Sequence, residues 1–455
     1  MRKSLLLAIL LLSLTSGGCG TEVSFNAGIA SGDVTATEVT LWTVVDGANS
    51  VKAEVFNDPS LKELVTTVDV EVIYHGVAKV HVSGLQPASR YYYRFTTSSK
   101  KSDVGTFTTA SLPDMSSSVV FAFSGCSNAL FQPFKLLSAV LEDKPDFFIY
   151  LGDTIYSDDS RHALSPAFTF DEYNSFYLEN RRDVHLRKLL GSTSVYAMWD
   201  DHEVKDNFAG ETVDPFQFAN ALQSFIINLP VRESTDKYGR LYRSFRWGKL
   251  AEFFMLDVRS YRSAEIICKD KDGEPLLIPD SNCRKLLNAQ GRTFLGNEQK
   301  SWLMNSLISS DAVIKFIVSG VPITGLKYLP YDRWEGYPVE RREILDFINE
   351  SNMENVFFLA SDIHANLVTT VEKDIKEIIT GPIATDTLQD YIEGAGIEFS
   401  LELIKFLFPN IEFIEINRFA YTLVHVIQNN GKPIVKIQIK GDNGEALFTK
   451  QFSTK

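Results

Sequence analysis

Four short stretches gather side chains that bind metal ions or move protons. They are FSGCS around Cys126, GDTIY with Asp153 and Tyr156, WDDHEVKDN with Asp200, Asp201, His202 and Asn207, and SDIH with Asp362 and His364. A carboxylate such as Asp153 can bridge two cations through its two oxygens. A tyrosine phenolate is a hard anionic ligand suited to a trivalent ion such as Fe(III), and Cys126 would add a thiolate. A bound cation deprotonates both groups by lowering their pKa. The adjacent Asp200 and Asp201 repel each other unless a cation sits between them. His202 beside them is a ligand or a general acid for a leaving oxygen. Asp362 and His364 offer an oxygen and an imidazole, and alternation along an extended chain would put both on one side. An arginine fork suits phosphate oxygens. Arg259 and Arg262 in LDVRSYR and Arg232 in NLPVRES are therefore candidates for an anionic substrate or for structural ion pairs. Trp334 and Tyr337 in YDRWEGYP either line a pocket or anchor their loop.

These residues share a place in the chain, because each group follows an apolar run. VVFAF leads to Cys126, FFIYL to Asp153, VYAMW to Asp200, EFFML to Asp257 and Arg259, KFIV to Ser319, and VFFLA to Asp362. Apolar runs alternating with helical patterns indicate an α/β fold, in which ligands bind outside the carboxyl ends of the strands. Helices are expected in QPFKLLSAVLED, DEYNSFYLENRRDVHLRKLLG, NEQKSWLMNSLISS and VERREILDFINES. The apolar stretch 396–416 is interrupted by Glu398, Glu402, Lys405 and Pro409, so it reads as a core or lid helix rather than a membrane span. Ahead of the α/β region, Val23–Ala110 reads as a small all-β sandwich resembling a fibronectin type III-like domain. Ser111–Ser118 is a linker, and 119–455 forms the catalytic domain. His75, His81, His162, His185 and His425 lie outside the clusters and read as structural or surface residues.

The chain has 455 residues and a net charge of -13, which disfavours a nucleic-acid partner. Acidity does not exclude a small phosphorylated substrate, because a metal site supplies its own positive charge. The N-terminus has basic Arg2 and Lys3, an apolar Leu5–Leu14 and small residues before Cys19, so export is expected. The pattern resembles a bacterial lipoprotein signal (residues 1–19), in which Cys19 becomes the lipidated N-terminus in the periplasm or at the cell surface. Ser16 stands where that motif usually has leucine, which leaves cleavage without lipidation open. In an oxidising compartment Cys268 and Cys283, flanking a polar turn-rich stretch, are a natural disulfide pair. Cys126 is left over. It is either an inert buried thiol or a metal ligand, and its neighbours favour the ligand.

Read in order, FNAGIASGDVTATEVTLWTVV, FSGCS, YLGDTIY, WDDHEVKDN, LDVRSYR, LGNEQKSWL, DRWEGYPVERREIL and FLASDIHA resemble the PhoD-type alkaline phosphatases and phosphodiesterases. That family is a branch of the calcineurin-like metallophosphoesterases, related to purple acid phosphatases. The resemblance implies two stacked sheets flanked by helices behind a β-sandwich. It implies Fe(III) on Cys126, Asp153, Tyr156 and His364, and Ca(II) on Asp153, Asp201 and Asp362, with Asp200 and Asn207 as further candidates. His202 would be the acid near the leaving group; Arg259, from its fit to phosphate oxygens, is counted with it in the catalytic set. Departures are Arg2-Lys3 in place of a twin-arginine signal, and Thr154 where the family often has tyrosine. The function expected is an exported, monomeric, metal-dependent phosphoesterase acting on phosphomonoesters, phosphodiesters or both through attack of a metal-activated water. The alternatives are a phospholipase-D-like enzyme on lipid or cell-wall polymers, and a non-catalytic surface-binding lipoprotein.

Overall fold

The computed structural model describes residues 22–455 apart from 236, 238, 277, 326–330, 397–409, 430 and 431. Cys19 and the signal segment lie outside the described residues. Among the described residues the strands form a 9-stranded, a 7-stranded and a 4-stranded sheet. In the first, Phe147–Leu151 lies between Val119–Ser124 and Ser194–Met198, all parallel. In the second, Ala251–Met255, Ile314–Gly320, Val356–Ala360 and Ile375–Ile379 run parallel in that order. These strands are covered on both faces, which explains their continuous apolar runs.

The inner faces of the two larger sheets pack through aromatic rings. Phe121 and Phe147 stack at 5.2 Å, and Phe253 meets them edge-on at 5.0 and 5.4 Å. Helices Leu136–Glu142, Phe170–Asn180, Val184–Ser192 and Pro215–Asn228 cover the outer face of the first sheet. Gly296–Ser309 and Pro338–Glu350 cover the second. The stretch DEYNSFYLENRRDVHLRKLLG makes two helices rather than one continuous run. Asp183 accepts from the backbone N–H groups of His185 and Leu186, a cap that starts a new helix.

The N-terminal strands divide between sheets. Ser50–Phe56, Leu64–Glu71, Arg90–Thr96 and Gly105–Thr108 form the four-stranded sheet. Ile29–Gly32, Glu38–Val44 and Val77–Ser83 instead extend the nine-stranded sheet, through a parallel pairing of Gly32 with Val195. A Cβ at position 32 would sit 2.5 Å from the Pro230 carbonyl oxygen and 2.6 Å from that of Val195, so this approach needs glycine. One buried cluster joins Val51, Tyr93 and Phe107 to Leu41, Phe121 and Phe253. Residues 111–118 contain neither helix nor strand.

Of the stretch expected to be a core or lid helix, 397–409 lie outside the described residues. Ile411–Glu415 is a strand antiparallel to Asn366–Glu372. Its β-branched and aromatic residues Ile411, Phe413 and Ile414 suit a strand. No helix among the described residues is long and apolar enough to cross a membrane.

Candidate metal centre

The carboxyl ends of the parallel strands deliver the side chains picked out in the sequence to one place. Cys126, Asp153, Asp362 and His364 all turn there with positive φ, at 62, 49, 65 and 52°. Non-glycine residues rarely adopt this conformation outside sites where the surroundings enforce it. The extended continuation expected for Asp362 and His364 is therefore absent. The chain curls after Ala360, and the two side chains enter different groups.

Cys126, Asp153 and His364 form the first group, with ligand atoms within 4.8 Å of one another. Tyr156 completes it. Its hydroxyl lies 3.0 Å from His364 Nε2 and 3.3 Å from Asp153 Oδ2, and Cys126 Sγ lies 3.3 Å from the same carboxylate oxygen. A second group shares Asp153 and adds Asp201 and His202; a third joins Asp200, Asp201 and Asp362. Asn207 takes part through its backbone, donating to Asp201 Oδ2 at 2.6 Å.

The electrostatics of the first group suit a cation. Burial pushes the Cys126 thiol well above its ordinary pKa, and the nearby Asp153 adds to the rise. Burial does the same to the Tyr156 phenol, with Cys126 and Asp153 adding. Asp153 is pushed well up by burial and by Asp201, Asp200 and Glu203, against the pull of His202. Burial holds the His364 imidazole down to about 3, in the neutral form that ligates. Its Nδ1 is buried and makes no hydrogen bond. Without a cation the group keeps its protons; a cation displaces them and resolves the repulsion. Thiolate, phenolate and imidazole together suit a transition metal, and the carboxylate side suits a harder ion.

His202 stands at the rim. Its ring stacks on Tyr156 at 4.3 Å between centroids, and its Nδ1 lies 2.6 Å from Asp158 Oδ1. Burial disfavours its imidazolium, but Asp201, Asp153 and Asp158 outweigh that and hold its pKa well above the usual value. A cation on Asp153 and Asp201 cancels two of these three, leaving Asp158 to support the charge.

The arginines are not arranged as exposed phosphate forks. Arg259 is fully buried among Asp200, Asp332 and Asp362. Arg262, also buried, donates to the carbonyl oxygens of Phe208, Asn207 and Asp332. Arg232 pairs with Glu38 on an N-terminal strand. Trp334 and Tyr337 anchor their loop: Trp334 Nε1 donates to Ser319 Oγ at 2.9 Å and the Tyr337 hydroxyl to the Ser263 carbonyl at 2.6 Å. His162 pairs with Glu179, His185 with Ser138, His75 with Asp171 and His81 with Glu38. His425 lies on strand Ala420–Asn429. Cys268 and Cys283 are joined, with Cα atoms 5.6 Å apart, and pack against Leu287 and Tyr331.

Sequence reasoning missed several supporting residues. Glu203 is fully buried and accepts from the backbone N–H groups of Asp153, Thr154 and Asp200, at 3.2, 2.6 and 2.9 Å, so it staples two strand ends together. It follows His202 directly in WDDHEVKDN. Asp158 lies two residues past Tyr156. Asp332 and Arg333 precede Trp334 in a stretch read for its aromatic residues.

The chain is similar to known proteins along most of its length. Residues 121–431 match the PhoD-like phosphatase family, and residues 17–111 match the PhoD-like phosphatase N-terminal domain. The chain is 31% identical over 442 residues to alkaline phosphatase D of Bacillus subtilis (strain 168), covering 86% of this chain and 73% of that protein. The solved structure of PhoD superposes with a TM-score of 0.78 at 24% identity, over 95% of this chain and 92% of that one. A purple acid phosphatase, PPD1 from yellow lupin seeds, shares the fold with a TM-score of 0.61 at 10% identity, over 94% of this chain and 73% of that one.

Proposed function

The chain belongs to the PhoD-like phosphatase family and is a phosphoric ester hydrolase, and on that premise we propose that it is an exported enzyme hydrolysing phosphomonoesters, phosphodiesters or both. The observation that carries the reading is the pair of side-chain groups sharing Asp153, the second of which contains Asp201 and His202. Two-metal phosphoesterases need a bridging carboxylate and a proton donor at the edge of the metal pair.

Cys126, Asp153, Tyr156 and His364 would hold an Fe(III), and Asp153, Asp201 and Asp362 a Ca(II). When bound, such ions neutralise the phosphoryl charge and make water a competent nucleophile. The chain's own residues do the rest. Glu203 fixes the backbone of Asp153 and Asp200 at the separation the centre needs. Asp158 holds His202 through Nδ1, which leaves Nε2 as the atom that hands a proton to the leaving oxygen. Asn207 orients Asp201 through its backbone N–H.

The N-terminal pattern and the disulfide both support export, and Cys19 is the residue that would carry a lipid. The test of the reaction is hydrolysis of p-nitrophenyl phosphate and bis(p-nitrophenyl) phosphate by purified protein. Release from at least one, abolished by chelation, supports the reading; no release from either with metal bound contradicts it. Mass measurement of the mature N-terminus from expressing cells tests the anchor. An acylated Cys19 supports it, and an unmodified N-terminus contradicts it.

A further inference from the structure

The third acidic group already contains a cation. Arg259 donates from Nε to Asp200 Oδ1 at 2.5 Å and from Nη2 to Asp200 Oδ2 at 3.1 Å, so both oxygens of Asp200 are engaged by one fork. The same Nη2 lies 3.1 Å from Asp362 Oδ1 and 3.6 Å from Asp201 Oδ1. Nη1 donates to Asp332 Oδ2 at 2.9 Å. The Arg259 and Asp332 side chains are 0% exposed, and that of Asp200 is 2%. Arg333 takes the other oxygen of Asp362. Such a fully desolvated network cannot open to meet a substrate without leaving several carboxylates unpaired. Asp201 is engaged differently: one oxygen accepts from Asn207 N–H, and the guanidinium is no nearer than 3.6 Å.

We propose that Arg259 is a built-in cation that occupies the space between Asp200, Asp201 and Asp362, with Asp200 as its counter-ion rather than a metal ligand and Asp362 as the ligand it positions. On this assignment Arg259 touches neither substrate nor metal. It fixes the direction of one ligand of the harder ion, and the acidic end of the centre takes fewer ions than its carboxylates suggest. The inference deepens the phosphoesterase reading of the same site and rests on it.

The test compares D200N, D201N and R259K with the wild type. Each is dialysed against Ca²⁺ and analysed for elemental content, and inhibition by inorganic phosphate is measured at saturating metal. The expected result is the wild-type metal content in D200N and a lost equivalent in D201N. R259K should take up Ca²⁺ about 10–100-fold more weakly, as for other residues that orient metal ligands, with phosphate inhibition unchanged. Loss of the same equivalent in D200N would overturn the assignment. So would an R259K protein with normal Ca²⁺ affinity and weakened phosphate inhibition, the signature of direct phosphate contact. Should D200N fail to fold, R259K decides, because it keeps the buried charge. A wild-type protein that takes up no metal would refute the metal centre itself, an outcome separate from either of these.

Discussion

Nδ1 of His202 lies 2.6 Å from Oδ1 of Asp158. The pair sets both the tautomer and the charge of the imidazole, and Asp158 adds to the forces that hold the pKa of His202 well above its usual value. Held in its protonated form, the imidazole can supply a proton to a leaving oxygen.

H202A should therefore lose about 10²–10⁴-fold in kcat, with metal content retained. Because the acid acts only when protonated, the rate should fall as pH rises through its pKa. D158N removes one stabiliser of the imidazolium, so that alkaline limb should move to lower pH. A pH–rate profile of the variant checks this, and an unmoved limb would show that Asp158 does not support His202.

Metal binding should depend on pH with a definite sign. Cys126 and Tyr156 have raised pKa values in the metal-free protein, so they bind metal by releasing protons. Affinity should rise with pH and protons should appear in solution on loading. Calorimetry of metal uptake in buffers of different ionisation enthalpy measures the number released, and zero would contradict the ligand assignment. C126S, which swaps a thiolate for a weak hydroxyl ligand, should lose the metal of the first group.

E203Q should destabilise the fold by about 2–4 kcal/mol, because both buried carboxylate oxygens accept hydrogen bonds and an amide would face backbone N–H groups with its own. The midpoint of urea unfolding reports the loss. A shift equivalent to under about 1 kcal/mol would mean that Glu203 is not a staple.

The Cys268–Cys283 bridge closes a loop with a sequence separation of 15, so the double serine variant should be less stable by about 3 kcal/mol. Thiol counting on denatured, unreduced mature protein should find neither residue reactive. Reaction of both would remove the bridge from the structure.

The candidate ligand clusters were legible because each follows an apolar run, and a parallel strand buried on both faces leaves a run with a clear end. Cys126 and Asp153 could be placed from that alone. What the runs could not convey was the turn after them. The left-handed conformations at Asp362 and His364 send those side chains into separate groups, and no alternation rule foresees that. Arg259 was left between two roles for a related reason. A fork suited to phosphate is equally suited to Asp200, and only burial tells the two apart. The merging of Ile29–Gly32 into the large sheet depends on one close approach at Gly32, which leaves no periodic trace.

The most direct measurement is phosphate ester hydrolysis by one preparation before chelation, after it, and after reloading with iron and calcium, with metal content determined at each stage. Activity that disappears with the metals and returns with them in proportion is the expected result. Hydrolysis that persists unchanged in protein stripped of metal, or that never appears in fully loaded protein, would contradict a metal-dependent phosphoesterase built on Cys126, Asp153, Tyr156 and His364.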